Sequence, residues 1–177
     1  MIQSPYRRGA EDGLIFGIYL TVLFYATVLS QQFPLLGFPA LIMIAGVPVV
    51  IFMMMKRYAV RLGAASSFSM LWMQGLVIFA CGSTIACAML YIYLRWINPD
   101  FFSSQLEYLA TLKIDESTEF LSQSKEMARQ ILDAGMIPRA IDMVIEFILL
   151  GVVSGSLLSM VLSAIIAITG GNKKSSY

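Results

Sequence analysis

With 58% hydrophobic and 13% charged residues among 177, and a mean hydropathy of +0.77, the chain is far from a soluble domain, where about 25% of residues carry charge. It reads as a membrane protein whose apolar surface is buried mainly in lipid. A formal net charge of +1 gives no footprint for nucleic acid, and with no histidine and two cysteines neither the commonest general base nor a Cys/His zinc site is available.

No charged residue stands between Asp12 and Lys56, between Arg61 and Arg95, or between Glu146 and Lys173. A span takes roughly 20 apolar residues, so the first run holds two spans and each of the others holds one. The expectation is an all-α, integral membrane four-helix bundle in one domain. Its spans fall at about residues 13–31, 39–55, 66–96 and 140–169. An extracytoplasmic helical hairpin, at about 97–138, separates helices three and four.

In chain order, Arg7, Arg8, Glu11 and Asp12 precede the first apolar run at Gly13. Val28-Leu29-Ser30 has small residues where a signal peptidase cuts, but the run is longer than a signal core and two acids interrupt the basic region. Gly9, Gly13, Gly17 and Thr21 recur every fourth residue, a face on which helix backbones approach closely. The turn back is made by Gln31-Gln32-Phe33-Pro34 with Gly37 and Pro39. Helix two then runs from Pro39 to Met55, with Pro48 removing one backbone bond in its middle. Met53 to Met55 end it as gap-fillers, with a Met-rich binding surface as the alternative. Lys56, Arg57 and Arg61 then fill a short loop.

Helix three carries Gln74, which is set to hydrogen-bond a neighbouring helix, with a ligand contact as the alternative, and the small residues Gly75, Ala80, Gly82, Ser83 and Ala86. Cys81 and Cys87 are rotated by roughly 240° from one another on that helix; they cannot bridge and serve as small packing residues. Tyr91, Tyr93 and Trp96 form an aromatic belt at its end, where Arg95 can snorkel.

Past the belt, Asn98, Pro99 and Asp100 are a helix start, with Asn98 as cap and Pro99 at the first position. This helix reaches about Leu112. Lys113 to Glu116 break the pattern, Ser117 caps a second amphipathic helix, and Gly135 stops it. Seven of the twelve basic residues, Arg7, Arg8, Lys56, Arg57, Arg61, Lys173 and Lys174, can share one side, which by the positive-inside rule is the cytoplasm. Both termini are therefore placed there, with the polar segment outside.

The fourth helix follows Pro138 and brings Arg139, Asp142 and Glu146, the last two one turn apart. With Arg95 these make the candidate intramembrane polar cluster: either a cation or proton site on Asp142 and Glu146, or carboxylates neutralised at the outer interface by Arg139 and Arg95. Further along, Gly151, Gly155, Ser159 and Ser163 repeat every four residues, matching the stripe on helix one.

Glu11-Asp12-Gly13 with Gly17, the passage from Tyr91-Ile92-Tyr93 to Ile97-Asn98-Pro99-Asp100, and Gly151 with Gly155 in an apolar run ending in lysines resemble a family of small four-span bacterial membrane proteins of unknown function. The resemblance covers nearly the whole chain and implies four spans in a bacterial inner membrane. It transfers no functional residue.

Two function classes follow. The favoured one is a non-enzymatic membrane subunit or scaffold whose outer hairpin and small-residue faces bind a membrane-protein partner or a second copy. The alternative is a small oligomeric cation- or proton-coupled transporter or channel using Asp142 and Glu146, although discontinuous helices and an internal repeat are not evident. No nucleophile with a matched base points to an enzyme, and no catalytic, cofactor-binding or metal-binding residue is assigned.

Overall fold

The computed structural model describes residues 4–63, 66–111, 119–135 and 139–171. These residues are helical almost throughout: α1 (Pro5–Ser30), α2 (Gly37–Leu62), α3 (Phe68–Ile92), α4 (Phe101–Thr111), α5 (Glu119–Asp133) and α6 (Ala140–Gly171). A 3-10 turn, Pro34–Leu36, leads into α2, and α3 is prolonged by a π-helical turn, Tyr93–Ile97. α1, α2, α3 and α6 are long and apolar enough to cross a membrane. The helical membrane bundle expected from composition is thus the observed fold class, and by contact the chain divides into two compact units.

One unit comprises the chain up to Met89 and from Glu146 onward. Its order is set by glycines. A methyl group placed on Gly9, Gly13 or Gly17 of α1 would stand 2.8 Å from the Cβ of Val77, Cys81 or Ile85 of α3, respectively. The two helices therefore run parallel, turn against turn, closer than any side chain on α1 would permit.

On the other side of α3, Gly75, Phe79 and Ser83 meet Ser159, Gly155 and Gly151 of α6 in turn. Numbers that rise along α3 fall along α6, so this pair is antiparallel. Residues 77 and 79 are about 200° apart on a helix, and that rotation lets α3 lie between α1 and α6. Phe16 of α1, fully buried, packs its ring against the Gly82 notch and makes an edge contact with Phe79 at 5.1 Å between centroids. α2 covers the group with Ile51, Met55, Tyr58 and Leu62, all buried, at the spacing of one helix face. It is also tied to α1 by the Tyr19 hydroxyl, which donates to the Met43 carbonyl.

Helix ends differ from the sequence expectation. α1 begins at Pro5, well before Gly13, because Ser4 caps it, its hydroxyl accepting from the Arg7 amide at 3.4 Å, and Pro5 suits the first helical position. α2 continues through Lys56, Arg57 and Arg61 to Leu62 and ends at Gly63 with φ +54°, so these three cations lie on a helix and not in a loop. Long basic side chains tolerate this by reaching along the helix toward water.

The second unit is Leu90–Ile145. In the π-helical turn the Asn98 amide bonds the Tyr93 carbonyl at 2.9 Å. Tyr93 and Leu94 are buried, while Arg95, Trp96 and Ile97 are exposed. Tyr93 packs edge-on against Phe101 of α4 at 5.5 Å. α4 starts later than the Asn98 cap would set it, with the Phe101 amide bonding the Asn98 carbonyl at 3.3 Å. α4 and α5 pack on each other, each with a buried alanine, Ala110 and Ala128. Gly135, at φ +62°, closes α5 in the left-handed region that glycine favours. The expected break at Lys113 to Glu116, the Ser117 cap, Pro138, Lys173 and Lys174 lie outside the described residues.

Candidate functional site

The first turns of α1 carry alternating signs at spacings of three and four, which place Arg7, Arg8, Glu11 and Asp12 as neighbours on the helix surface. Arg8 Nη1 stands 3.1 Å from Glu11 Oε2, Arg7 Nε 3.6 Å from Glu11 Oε1, and Arg8 Nη2 3.0 Å from Asp12 Oδ1. Asp12 shares the side of Gly9 and Gly13 that faces α3, and it is only 3% exposed. Its other oxygen, Oδ2, accepts from Gln74 Nε2 of α3 at 2.9 Å, and Gln74 is wholly buried.

A buried carboxylate is costly without a partner. Here a guanidinium holds one oxygen and an amide the other, and the two donors come from different helices. Arg61 of α2 adds its positive field at Asp12. Arg8 Nε, Gln74 Oε1 and Ser159 Oγ are buried without a hydrogen-bond partner among the described residues. The arrangement is a polar staple joining α1 to α3 at the level where Gly75 of α3 meets Ser159 of α6.

Elsewhere in the bundle one polar bond ties two helices and another stays within its own. Trp72 Nε1 donates to the Ser156 carbonyl across α3 and α6 at 3.3 Å, while Ser163 turns back to the Ser159 carbonyl of its own helix at 2.7 Å.

The residues singled out from sequence fall in different surroundings. Gly9, Gly13 and Gly17 face α3 from one side, and Gly151, Gly155 and Ser159 face it from the other. Arg95, Arg139, Asp142 and Glu146 are all exposed. Arg95 lies on the π-helical turn, Arg139 just before α6, Asp142 in its first turn, and Glu146 one turn on. Within the Leu90–Ile145 unit no ion pair joins Arg95, Arg139 and Asp142.

The residue that sequence reasoning passed over is Asp12. Its signal was present: an acid set between two glycines of a packing stripe, with Gln74 as the single amide along α3.

Four long apolar helices, one of them carrying a buried carboxylate bonded to a second helix, define a small polytopic helical membrane protein. The chain belongs to the DUF4199 family, described as a protein of unknown function, whose model matches residues 11–168. Neither the curated proteins nor the solved structures give a match.

Proposed function

We propose that this chain is a non-enzymatic subunit or scaffold of a bacterial inner membrane, with both termini cytoplasmic and the segment at about 97–138 outside. It binds a membrane-protein partner or a second copy of itself. One observation carries the reading: side-chain hydrogen bonds join the helices to one another, Gln74 of α3 to Asp12 of α1, Trp72 of α3 to α6, and Tyr19 of α1 to α2. An interior organised in this way holds a shape. The exposed positions of Asp142 and Glu146 on α6 support a role on the surface over an ion path within the bundle.

The small-residue faces of α1 and α6 are engaged with α3, which leaves the α4–α5 hairpin as the surface for a partner. α5 presents Gln123, Glu126, Met127, Arg129 and Gln130 outward around the buried Ala128. The test is photocrosslinking in native membranes from a benzoylphenylalanine placed at Tyr108, Met127 or, as a lipid-facing control, Leu149, each more than half exposed. A discrete protein adduct from 108 or 127, absent from 149, is expected. Adducts to lipid alone at all three positions overturn the reading.

A further inference from the structure

The extension of α2 beyond the expected span creates a feature that the scaffold reading does not use. Met53, Lys56, Arg57, Val60 and Arg61 line an open groove of about 460 Å³. Their spacing of three, four, seven and eight puts them on one helix face, set apart from the face of Ile51, Met55, Tyr58 and Leu62 that enters the core. The groove thus opens outward at the end of a span, where apolar chains give way to headgroups.

Charge there is unbalanced. Arg7 and Arg8 are taken up by Glu11 and Asp12, whereas Lys56, Arg57 and Arg61 have no carboxylate within 4 Å among the described residues. Lys56 is held over the Phe52 ring, 5.7 Å from its centroid, which positions its ammonium beside the groove. Three cations with no carboxylate within 4 Å among the described residues surround Val60, which is 74% exposed, while the half-exposed Met53 continues the wall two turns deeper along the helix. Water alone is a poor partner for this mixture of exposed apolar surface and cations. A molecule with an anionic head and an apolar tail complements both.

We propose that this groove is a binding site for an anionic phospholipid, with the phosphate between Arg57, Arg61 and Lys56 and an acyl chain running past Val60 and Met53 into the bilayer. A guanidinium can take two phosphate oxygens at once, and basic residues at the end of a span draw anionic headgroups. A zwitterionic lipid fits less well because its own cation would enter the same cluster. Soluble phosphate lacks the tail that the apolar wall receives.

The test uses the full chain, purified and reconstituted in nanodiscs of phosphatidylcholine alone or with phosphatidylglycerol or cardiolipin. Retained lipid is counted by native mass spectrometry and thermal stability is measured in parallel. Anionic lipid should be retained over phosphatidylcholine and should raise the melting temperature, whereas glycerol phosphate at the same concentration should do neither. Lys56→Gln with Arg57→Gln should weaken retention roughly 30-fold, from the usual contribution of each basic residue near an anionic surface, while melting in phosphatidylcholine stays at the parental value.

If the double variant does not fold, Val60→Trp fills the groove with all three cations in place and should displace the lipid as effectively. Equal retention of zwitterionic and anionic lipid, retention undiminished in the double variant and in Val60→Trp, or stabilisation by glycerol phosphate alone each overturns the proposal.

Discussion

Gln74 reaches across from α3 to donate a 2.9 Å hydrogen bond to Asp12 of α1, and so joins two helices at a carboxylate that Arg8 also holds. In hydrocarbon such interhelical bonds contribute about 1 kcal/mol and up to about 2 kcal/mol. Gln74→Leu should therefore lower stability by about 1–2 kcal/mol, and Gln74→Glu by more, because it sets a second carboxylate against Asp12. Reversible unfolding in mixed micelles is the measurement. A Gln74→Leu protein as stable as the parent would mean that the staple is not a net stabiliser.

The glycine stripes set a second expectation. At Gly155 an added side chain would run into the Phe79 ring, so Gly155→Leu should separate α3 from α6 and destabilise by about 1–3 kcal/mol or more. Val153→Leu, whose site is 60% exposed, should melt like the parent. Matching melts for the Gly155 and Val153 variants would remove α3 from this interface.

Gly75 and Ser159 offer a sharper form of the same argument, because a methyl on Gly75 would collide with the Ser159 side chain. Gly75→Ala alone should cost about 1–3 kcal/mol. Ser159→Gly alone should cost about 0.5 kcal/mol as a helix-interior glycine. Combined, they should cost clearly less than the two added together, since each makes room for the other. Strict additivity would show that the two positions do not touch.

Much of this architecture was legible because charge is excluded so sharply from the spans that the gaps between charged residues count the helices. The glycine spacing of four likewise marked the faces of α1 and α6 that the fold turns to α3. What stayed hidden depends on register. The bond between Asp12 and Gln74 joins residues 62 positions apart, and it forms because α1 and α3 run parallel with Gly9 beside Val77, a relation no local pattern encodes. Helix ends were misplaced for a different reason. Composition sets the limit of a span at its first charged residue, whereas paired arginines and acids extend α1 back to Pro5, and snorkelling cations carry α2 on to Leu62.

Orientation in the membrane has its own test. Cysteines at Ser104 of α4 and Ser122 of α5 should react in intact cells with an impermeant maleimide, and Arg61→Cys should react only after permeabilisation. The expectation rests on the basic residues gathered at the ends of α1 and α2. Labelling of position 61 from outside would invert the topology and place the basic groove on the other face.

The last prediction separates the scaffold from the transporter at Glu146. This carboxylate is exposed on α6, one turn beyond Asp142. It has no ion-pair partner among the described residues, so Glu146→Gln removes no internal contact. Changes away from buried networks and caps usually stay within about 0.5 kcal/mol, and the variant should unfold with the parent's midpoint. A clear drop would mean that Glu146 is held by a neighbour within the chain. A scaffold that presents Glu146 to a partner should lose part of its crosslinked adduct on this substitution while its fold is unchanged. A transporter would instead assemble normally and lose a cation- or pH-dependent flux in reconstituted vesicles. The parent protein should show no flux above empty vesicles. Reproducible flux that disappears in Glu146→Gln would overturn the scaffold reading and make Asp142 and Glu146 an ion site.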